Sequence, residues 1–190
     1  EFTFQYYSAS KDEVFDVDET LTFSPPNAVG DLNNPFMLNL TTTVDLGLSL
    51  AEGWNWISLN VEAEDMEVGS LLDPLGTGAI YITSQSSGFT TNYGENGWYG
   101  SLDTLEVTEM YMLEMGNDAD IMVNGMPVDV ASTPIGLLEG WNWISYLPQD
   151  SGDVTIALGS VNDISVYITS QFDGYTQYYG VNGWYGSLDT

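Results

Sequence analysis

Apolar and polar positions alternate along much of this chain in runs of five to seven residues, and Gly, Pro, Asn and Asp punctuate the runs. Period-two patterning with turn residues at the breaks predicts strands rather than helices. Near the start, Phe2-Thr3-Phe4-Gln5-Tyr6-Tyr7, Glu13-Val14-Phe15-Asp16-Val17, Thr20-Leu21-Thr22-Phe23 and Phe36-Met37-Leu38-Asn39-Leu40 read as strands. Turn chemistry at Ser10-Lys11-Asp12, Pro25-Pro26-Asn27, Gly30-Asp31 and Asn33-Asn34-Pro35 separates them. This leading segment, residues 1 to 48, is expected to form part of a β-sandwich.

The rest of the chain repeats itself. Glu52-Gly53-Trp54-Asn55-Trp56-Ile57-Ser58 returns at residues 139 to 145, an offset of 87. Tyr81-Ile82-Thr83-Ser84-Gln85 returns at 167 to 171, and Asn96-Gly97-Trp98-Tyr99-Gly100-Ser101-Leu102-Asp103-Thr104 at 182 to 190, both offset by 86. Three identical blocks in one order define a duplicated unit, and all six Trp lie inside them. We place a first module at residues 49 to 130 and a second at 131 to 190. The first continues through Leu105 to Met115; residues 131 to 190 contain no such closing run, so either the chain is cut from something longer or another segment supplies it.

Within a module, Trp54 and Trp56 share one face of a strand and are expected in the core, with Asn55 and Ile57 on the other face. Tyr81-Ile82-Thr83 is aromatic and β-branched, which favours a strand. Phe89 to Tyr93 and Trp98 to Leu102 should form a hairpin about the Asn96-Gly97 turn. Tyr111 to Met115 and Ile121 to Val123 read as a second hairpin about 116 to 120. A short helical turn is expected at Val68 to Leu72 and at Val154 to Leu158, capped by Asp65 and Asp153. The predicted class is therefore all-β and mainly antiparallel, with tandem small barrel or sandwich modules, each carrying one helical turn.

The repeated blocks resemble a module of secreted and cell-surface proteins of marine and Bacteroidota-type bacteria. There, a Gly-Trp-Asn strand is followed by a short helix, a Tyr-Ile-x-Ser-Gln strand, a Gly-Trp-x-Gly-Ser-Leu strand and a closing strand. Residues 140 to 149, Gly-Trp-Asn-Trp-Ile-Ser-Tyr-Leu-Pro-Gln, carry the likeness most fully, and the closing run Leu105 to Leu113 lacks that module's Pro-Gly-Lys-Gly turn. Residues 12 to 38 are similar to a segment that precedes such modules. The resemblance implies export, multi-module architecture and a surface or matrix role, and brings no catalytic residue with it.

Charge narrows the partners. Lys11 is the sole basic residue against 28 Asp and Glu, a net charge of −27. Such a chain repels nucleic acid, which is held through Lys and Arg on phosphate, and avoids anionic membranes. Self-repulsion favours a medium rich in screening cations, as outside the cell. No run reaches the roughly 20 apolar residues of a membrane span. The start, Glu1-Phe2-Thr3-Phe4, has none of the marks of a signal peptide. With neither Cys nor His, thiol chemistry, disulfides, zinc sites and imidazole acid–base catalysis are excluded.

Four sets of residues are candidate sites. Trp98, Tyr99, Trp184 and Tyr185 sit beside glycines and can present aromatic faces to a sugar; the competing reading is core, with one of each pair buried. Asn117, Asp118 and Asp120 offer alternating oxygen ligands suited to calcium, against the alternative of a solvated turn. Asp103 and Asp189 could make a glycosidase pair only across one cleft, whereas their equivalent positions suggest strand-end caps. Phe2, Phe4 and Tyr6 lie on a terminal strand that can add to the sheet edge of a neighbour. Lys11 reads as an exposed turn residue rather than a cross-link. The expected function is a non-enzymatic structural or adhesive repeat of the cell surface, with no cofactor beyond a candidate calcium ion. Its expected partners are neighbouring copies or adjacent modules. The alternative is a carbohydrate-binding module with a glycan ligand.

Overall fold

The computed structural model describes residues 1–8, 13–22, 29–31, 33, 35–36, 38, 42–162 and 164–188. The turns expected about Lys11 and at 25 to 27, most of the strand expected at 36 to 40, and Asp189 lie outside them. Among the described residues, thirteen strands form four sheets, with only short helical turns between them. The chain is all-β and mainly antiparallel, and no sheet closes into a barrel. It divides into two units, Glu1–Val44 and Asp45–Thr190.

In the first unit, β1 (Phe2–Ser8) and β2 (Glu13–Leu21) form an antiparallel hairpin with a register shift between Thr3 and Phe4. The two runs expected at 13 to 17 and 20 to 23 are thus one strand as far as Leu21. Phe4 packs against Phe36, with ring centroids 6.1 Å apart.

The second unit begins with β3 (Val44–Leu50), β4 (Gly53–Ser58) and β5 (Val61–Glu62). Helix α1 (Val68–Leu72) and a 3₁₀ turn follow, then β6 (Ala79–Ser84), β7 (Phe89–Asn92), β8 (Trp98–Gly100), β9 (Met110–Met115) and β10 (Ala119–Pro127). The larger sheet runs β4-β9-β6-β7-β8, and the smaller runs β3-β10-β5. β9 alternates half-buried and buried, with Tyr111, Leu113 and Met115 sealed. β10 alternates in the same way, burying Ile121 and Val123 while Met122 is exposed. Each sheet thus has one apolar face, the condition for sheet-on-sheet packing. Ile57, Leu59, Val61, Val68, Leu72 and Ile82 complete this core.

Two expectations fail here. Tyr111–Met115 and Ile121–Val123 are not a hairpin: β9 pairs with β4 and β6, while β10 leaves for the smaller sheet. Trp54 and Trp56 are 42% and 39% exposed, while Asn55 and Ile57 are buried. The cause is local. The Asn55 side chain accepts from Ala51 N–H and donates to the carbonyls of Ala51 and Gly53, closing the turn ahead of β4. Gly53 holds φ +93° there, a conformation other residues rarely adopt. With Asn55 turned inward, alternation sends both Trp outward. Trp54 then lies edge-on to Tyr81 at 5.9 Å, and Tyr81 stacks on Phe89 at 5.5 Å, making an outer aromatic row.

The second copy contributes α2 (Val154–Ala157), β11 (Tyr167–Thr169), β12 (Tyr175–Tyr178) and β13 (Trp184–Gly186). Its registers Ile168↔Thr176 and Gln177↔Tyr185 reproduce Ile82↔Thr90 and Thr91↔Tyr99. The details recur too. Asn142 closes its turn on Leu138 and Gly140 as Asn55 does. A Cβ on Gly100 would overlap the Phe89 carbonyl oxygen, and one on Gly186 the Tyr175 carbonyl oxygen, so the Gly of each Trp-Tyr-Gly block permits close strand approach. Both expected helical turns form. Asp153 caps α2 by accepting from Thr155 N–H at 2.7 Å. Asp65 does not cap α1 as expected: the N-cap residue is Glu67, which makes no side-chain cap bond, and Asp65 instead accepts from Glu67 N–H at 2.9 Å and from the Ser70 hydroxyl.

Candidate functional site

The two copies share a sheet plan but not a complete sheet. In the first, β9 lies between β4 and β6 and supplies three of the most buried side chains, Tyr111, Leu113 and Met115. In the second, β11 is an edge strand, and no described strand separates it from the Gly140–Ser145 stretch that matches β4. The Trp141 and Tyr167 rings nevertheless meet edge-on at 5.6 Å and 83°, against 5.9 Å and 83° for Trp54 and Tyr81 across β9.

The outer side of the Gly140–Ser145 wall is held by the first copy. Gln85 donates to the Trp141 carbonyl and accepts from Trp143 N–H at 2.7 Å. Met110 N–H donates to the Trp143 carbonyl at 3.3 Å. The reciprocal contact exists as well: Gln171 donates to the Trp54 carbonyl and accepts from Trp56 N–H, both at 2.6 Å. Each Gln side chain replaces one rung of a β-ladder on the other copy's strand, so the copies meet through the same residues in both directions. Ser145 donates to the Leu59 carbonyl, and Asn60 to that of Pro148, along the same seam.

Alternation then fixes what faces inward. Trp141 and Trp143 turn their backbone groups to the first copy, so Asn142 and Ile144 turn theirs to the gap. On the opposite wall, Ser170 N–H bonds Gly174 and the Val166 carbonyl accepts from Tyr178, which commits the even positions to β12. Tyr167 and Thr169 therefore face the gap. Among the described residues, the backbone groups of these four have no hydrogen-bond partner across it. The core beneath is unsealed. Val154, Leu158, Ile168 and Leu188 are half-buried, whereas their counterparts Val68, Leu72, Ile82 and Leu102 are 1%, 3%, 0% and 2% exposed.

The sequence candidates fall elsewhere. Trp184 is buried and donates from Nε1 to Asn162 Oδ1 at 2.7 Å; Trp98 is half-buried, and its Nε1 is buried without a partner. Gly76 stands where the second copy has Asn162. Tyr99 and Tyr185 are 62% and 60% exposed. They pair with Tyr93 and Tyr179, ring centroids 6.0 and 6.2 Å apart, so each copy displays a Tyr pair rather than a Trp-Tyr platform. Tyr93, Asn96 and Tyr99 line a shallow surface depression.

Asp118 accepts from Glu52 N–H at 2.8 Å, Asp120 from the Ser49 hydroxyl at 2.6 Å, and Asn117 donates to the Asp118 carbonyl at 2.9 Å. These bonds brace the start of β10 against the turn before β4. No group of three or more acidic, His or Cys residues suited to a metal ion occurs among the described residues. Asp103 is exposed, and its carbonyl accepts from Val68 N–H at the start of α1. Phe2 and Tyr6 are exposed on β1, and Phe4 is half-buried.

Among the described residues, three titrating groups are shifted. Burial pushes the Tyr111 phenol up to about 12, opposed by its bond from Glu106 N–H and reinforced by the nearby Glu109 and Glu106 charges. The Ser70 hydroxyl and then Glu67 N–H lower Asp65 below its ordinary 3.8, and Thr155, through its hydroxyl and then its N–H, does the same for Asp153.

Among the described residues no helix is long and apolar enough to cross a membrane. Comparison with protein-family models, with curated proteins and with solved structures finds no match. The fold therefore defines an all-β protein with a duplicated module, and function is argued from the site.

Proposed function

We propose that this chain is a non-enzymatic structural or adhesive repeat of a cell-surface or extracellular protein, whose modules are joined to adjacent ones by strand addition. The reciprocal seam between the two copies carries the reading: Gln85 and Gln171 each take one rung on the other copy's strand, so one module is built to meet another of its kind. The net charge of −27 suits a saline exterior that screens it. The resemblance of the Gly-Trp-Asn-Trp-Ile-Ser and Gly-Trp-x-Gly-Ser-Leu blocks to modules of secreted bacterial proteins points the same way. Strand β1, with Phe2, Phe4 and Tyr6, is a candidate donor by sequence, but it would first have to leave its hairpin with β2. The test is to treat intact source cells with external protease and to image the protein drawn from them. Cleavage from outside, with rods or filaments of repeating modules, is expected; a protected protein seen as single globules contradicts the reading.

The second reading, a carbohydrate-binding module, rests on the repeated exposed pairs Tyr93–Tyr99 and Tyr179–Tyr185. Planar rings beside polar groups suit sugar stacking. Glycan-array binding that falls with Tyr99→Ala and Tyr185→Ala would favour it over the scaffold.

A further inference from the structure

The repeat sets one aromatic pair at the same hairpin tip of each copy. Tyr93 and Tyr99 meet at 6.0 Å and 69°, Tyr179 and Tyr185 at 6.2 Å and 66°. All four side chains are more than half exposed, so they add little to the core. The tip that carries them is built alike in both copies. Tyr93 N–H donates to the Gly97 carbonyl at 2.9 Å, and Tyr179 N–H to that of Gly183 at 2.8 Å. Gly97 and Gly183 both hold φ +81°, a conformation that residues with a side chain rarely adopt. Backbone turns thus place the rings ahead of any ligand, which lowers the ordering cost of binding. Asn96 and Asn182 end the same 3₁₀ turn at each tip.

We infer that the two tips are equivalent binding sites for an uncharged polysaccharide. This rests on the carbohydrate-binding reading and specifies its ligand. What the tips share is neutral: two phenols and one amide, groups that stack on the C–H face of a sugar and bond its hydroxyls. What differs between them is charge, since Glu95 of the first tip is Val181 in the second. A ligand that both tips hold therefore does not depend on that carboxylate, whereas a cationic amino sugar would favour the first tip alone. Anionic sugars are disfavoured at both. Residues 45 to 190 contain no Lys, Arg or His to neutralise a uronate or a sulfate, and the net charge of −27 repels them. The form of the site sets the form of the ligand. Tyr93, Asn96 and Tyr99 line a shallow depression rather than a cleft that encloses a small molecule. It suits a stretch of extended sugar chain lying across the tip.

The probes are a glycan array carrying neutral, anionic and amino-sugar oligosaccharides, followed by calorimetric titration of the full 190-residue chain with the neutral oligosaccharide that binds best. Neutral glycans are expected to bind, two short oligosaccharides per chain, with an affinity that does not change between low and high salt. Tyr99→Ala and Tyr185→Ala should each reduce the stoichiometry from two to one. The double variant should bind at least about tenfold more weakly. Its denaturation midpoint should stay unchanged, because both side chains are exposed. Binding to anionic or amino sugars alone overturns the inference. So does neutral-glycan binding that survives in the double variant, and so does a single oligosaccharide per native chain. Each of these three results leaves the carbohydrate-binding reading standing. Binding to no glycan of any class removes that reading together with the inference.

Discussion

The first copy and the second carry the same walls, turns and aromatic rows, yet Ile82 is sealed and Ile168 is half-exposed. One strand makes the difference. β9 contributes Tyr111, Leu113 and Met115 to the core and satisfies backbone groups on both sides. The comparison teaches that repeated Gly, Asn and aromatic residues position the sheet, while the closing strand completes its core. A copy can keep its layout, held by the reciprocal Gln85 and Gln171 contacts, and still have room at its centre.

The sharpest way to break this comparison is to make the same change in both copies. Ile82→Ala should cost about 3 kcal/mol of unfolding free energy, as a large-to-small change in a packed core does. Ile168→Ala should cost less than about 1 kcal/mol, because its side chain is already part-solvated. Equal losses in chemical denaturation would show that the second core is closed.

Next in size is the Tyr111 phenol. Tyr111→Phe leaves Glu106 N–H without its acceptor and should cost about 1–2 kcal/mol. Its pKa is raised from 10.0 to about 12, so the folded state favours the neutral phenol. That contribution is whole below pH 10 and is lost as pH rises towards 12. Denaturation midpoints between pH 9 and 12 should fall in the native chain and fall less in Tyr111→Phe.

The clasp between copies comes third. Gln85→Ala and Gln171→Ala each remove two hydrogen bonds at an exposed seam and should cost about 1 kcal/mol apiece. A double mutant whose loss equals the sum of the single losses would mean the two contacts act independently; a smaller loss would show that they hold one interface together. The smallest effect is expected at the two carboxylates beside the helix starts. Asp65 and Asp153 are both lowered below 3.8, so what they add is present above that pH and lost as pH falls through their folded values. Asp153→Asn should shift the acid limb of a pH–stability curve slightly, with no change near neutrality.

Much of this was legible in the residues. The repeat, the hairpin about Asn96-Gly97, the helical turns and the antiparallel class all followed from local pattern, because turn chemistry and alternation act over a few residues. The facing of Trp54 and Trp56 did not. Hydrophobicity argues for burying Trp, but Asn55 buries itself by closing a turn with three hydrogen bonds, and alternation obliges the rest. Nor did the split between β9 and β10, since a short Asn-Asp turn looks the same whether the next strand stays in its sheet or crosses to another. That the Leu105–Met115 run lies inside the first copy's sheet, rather than at its edge, is a fact of non-local pairing. The exposed pairs made by Tyr93 and Tyr179 have no sequence signal, because nothing in the residue order shows which aromatic rings meet.

Amide hydrogen exchange, read residue by residue on the isolated chain, tests the central claim most directly. Tyr81 and Thr83 face β9, and their counterparts Tyr167 and Thr169 face the gap. Exchange at Tyr167 and Thr169 orders of magnitude faster than at Tyr81 and Thr83 is the predicted result. Equal protection of the two pairs would mean that the second copy is already closed.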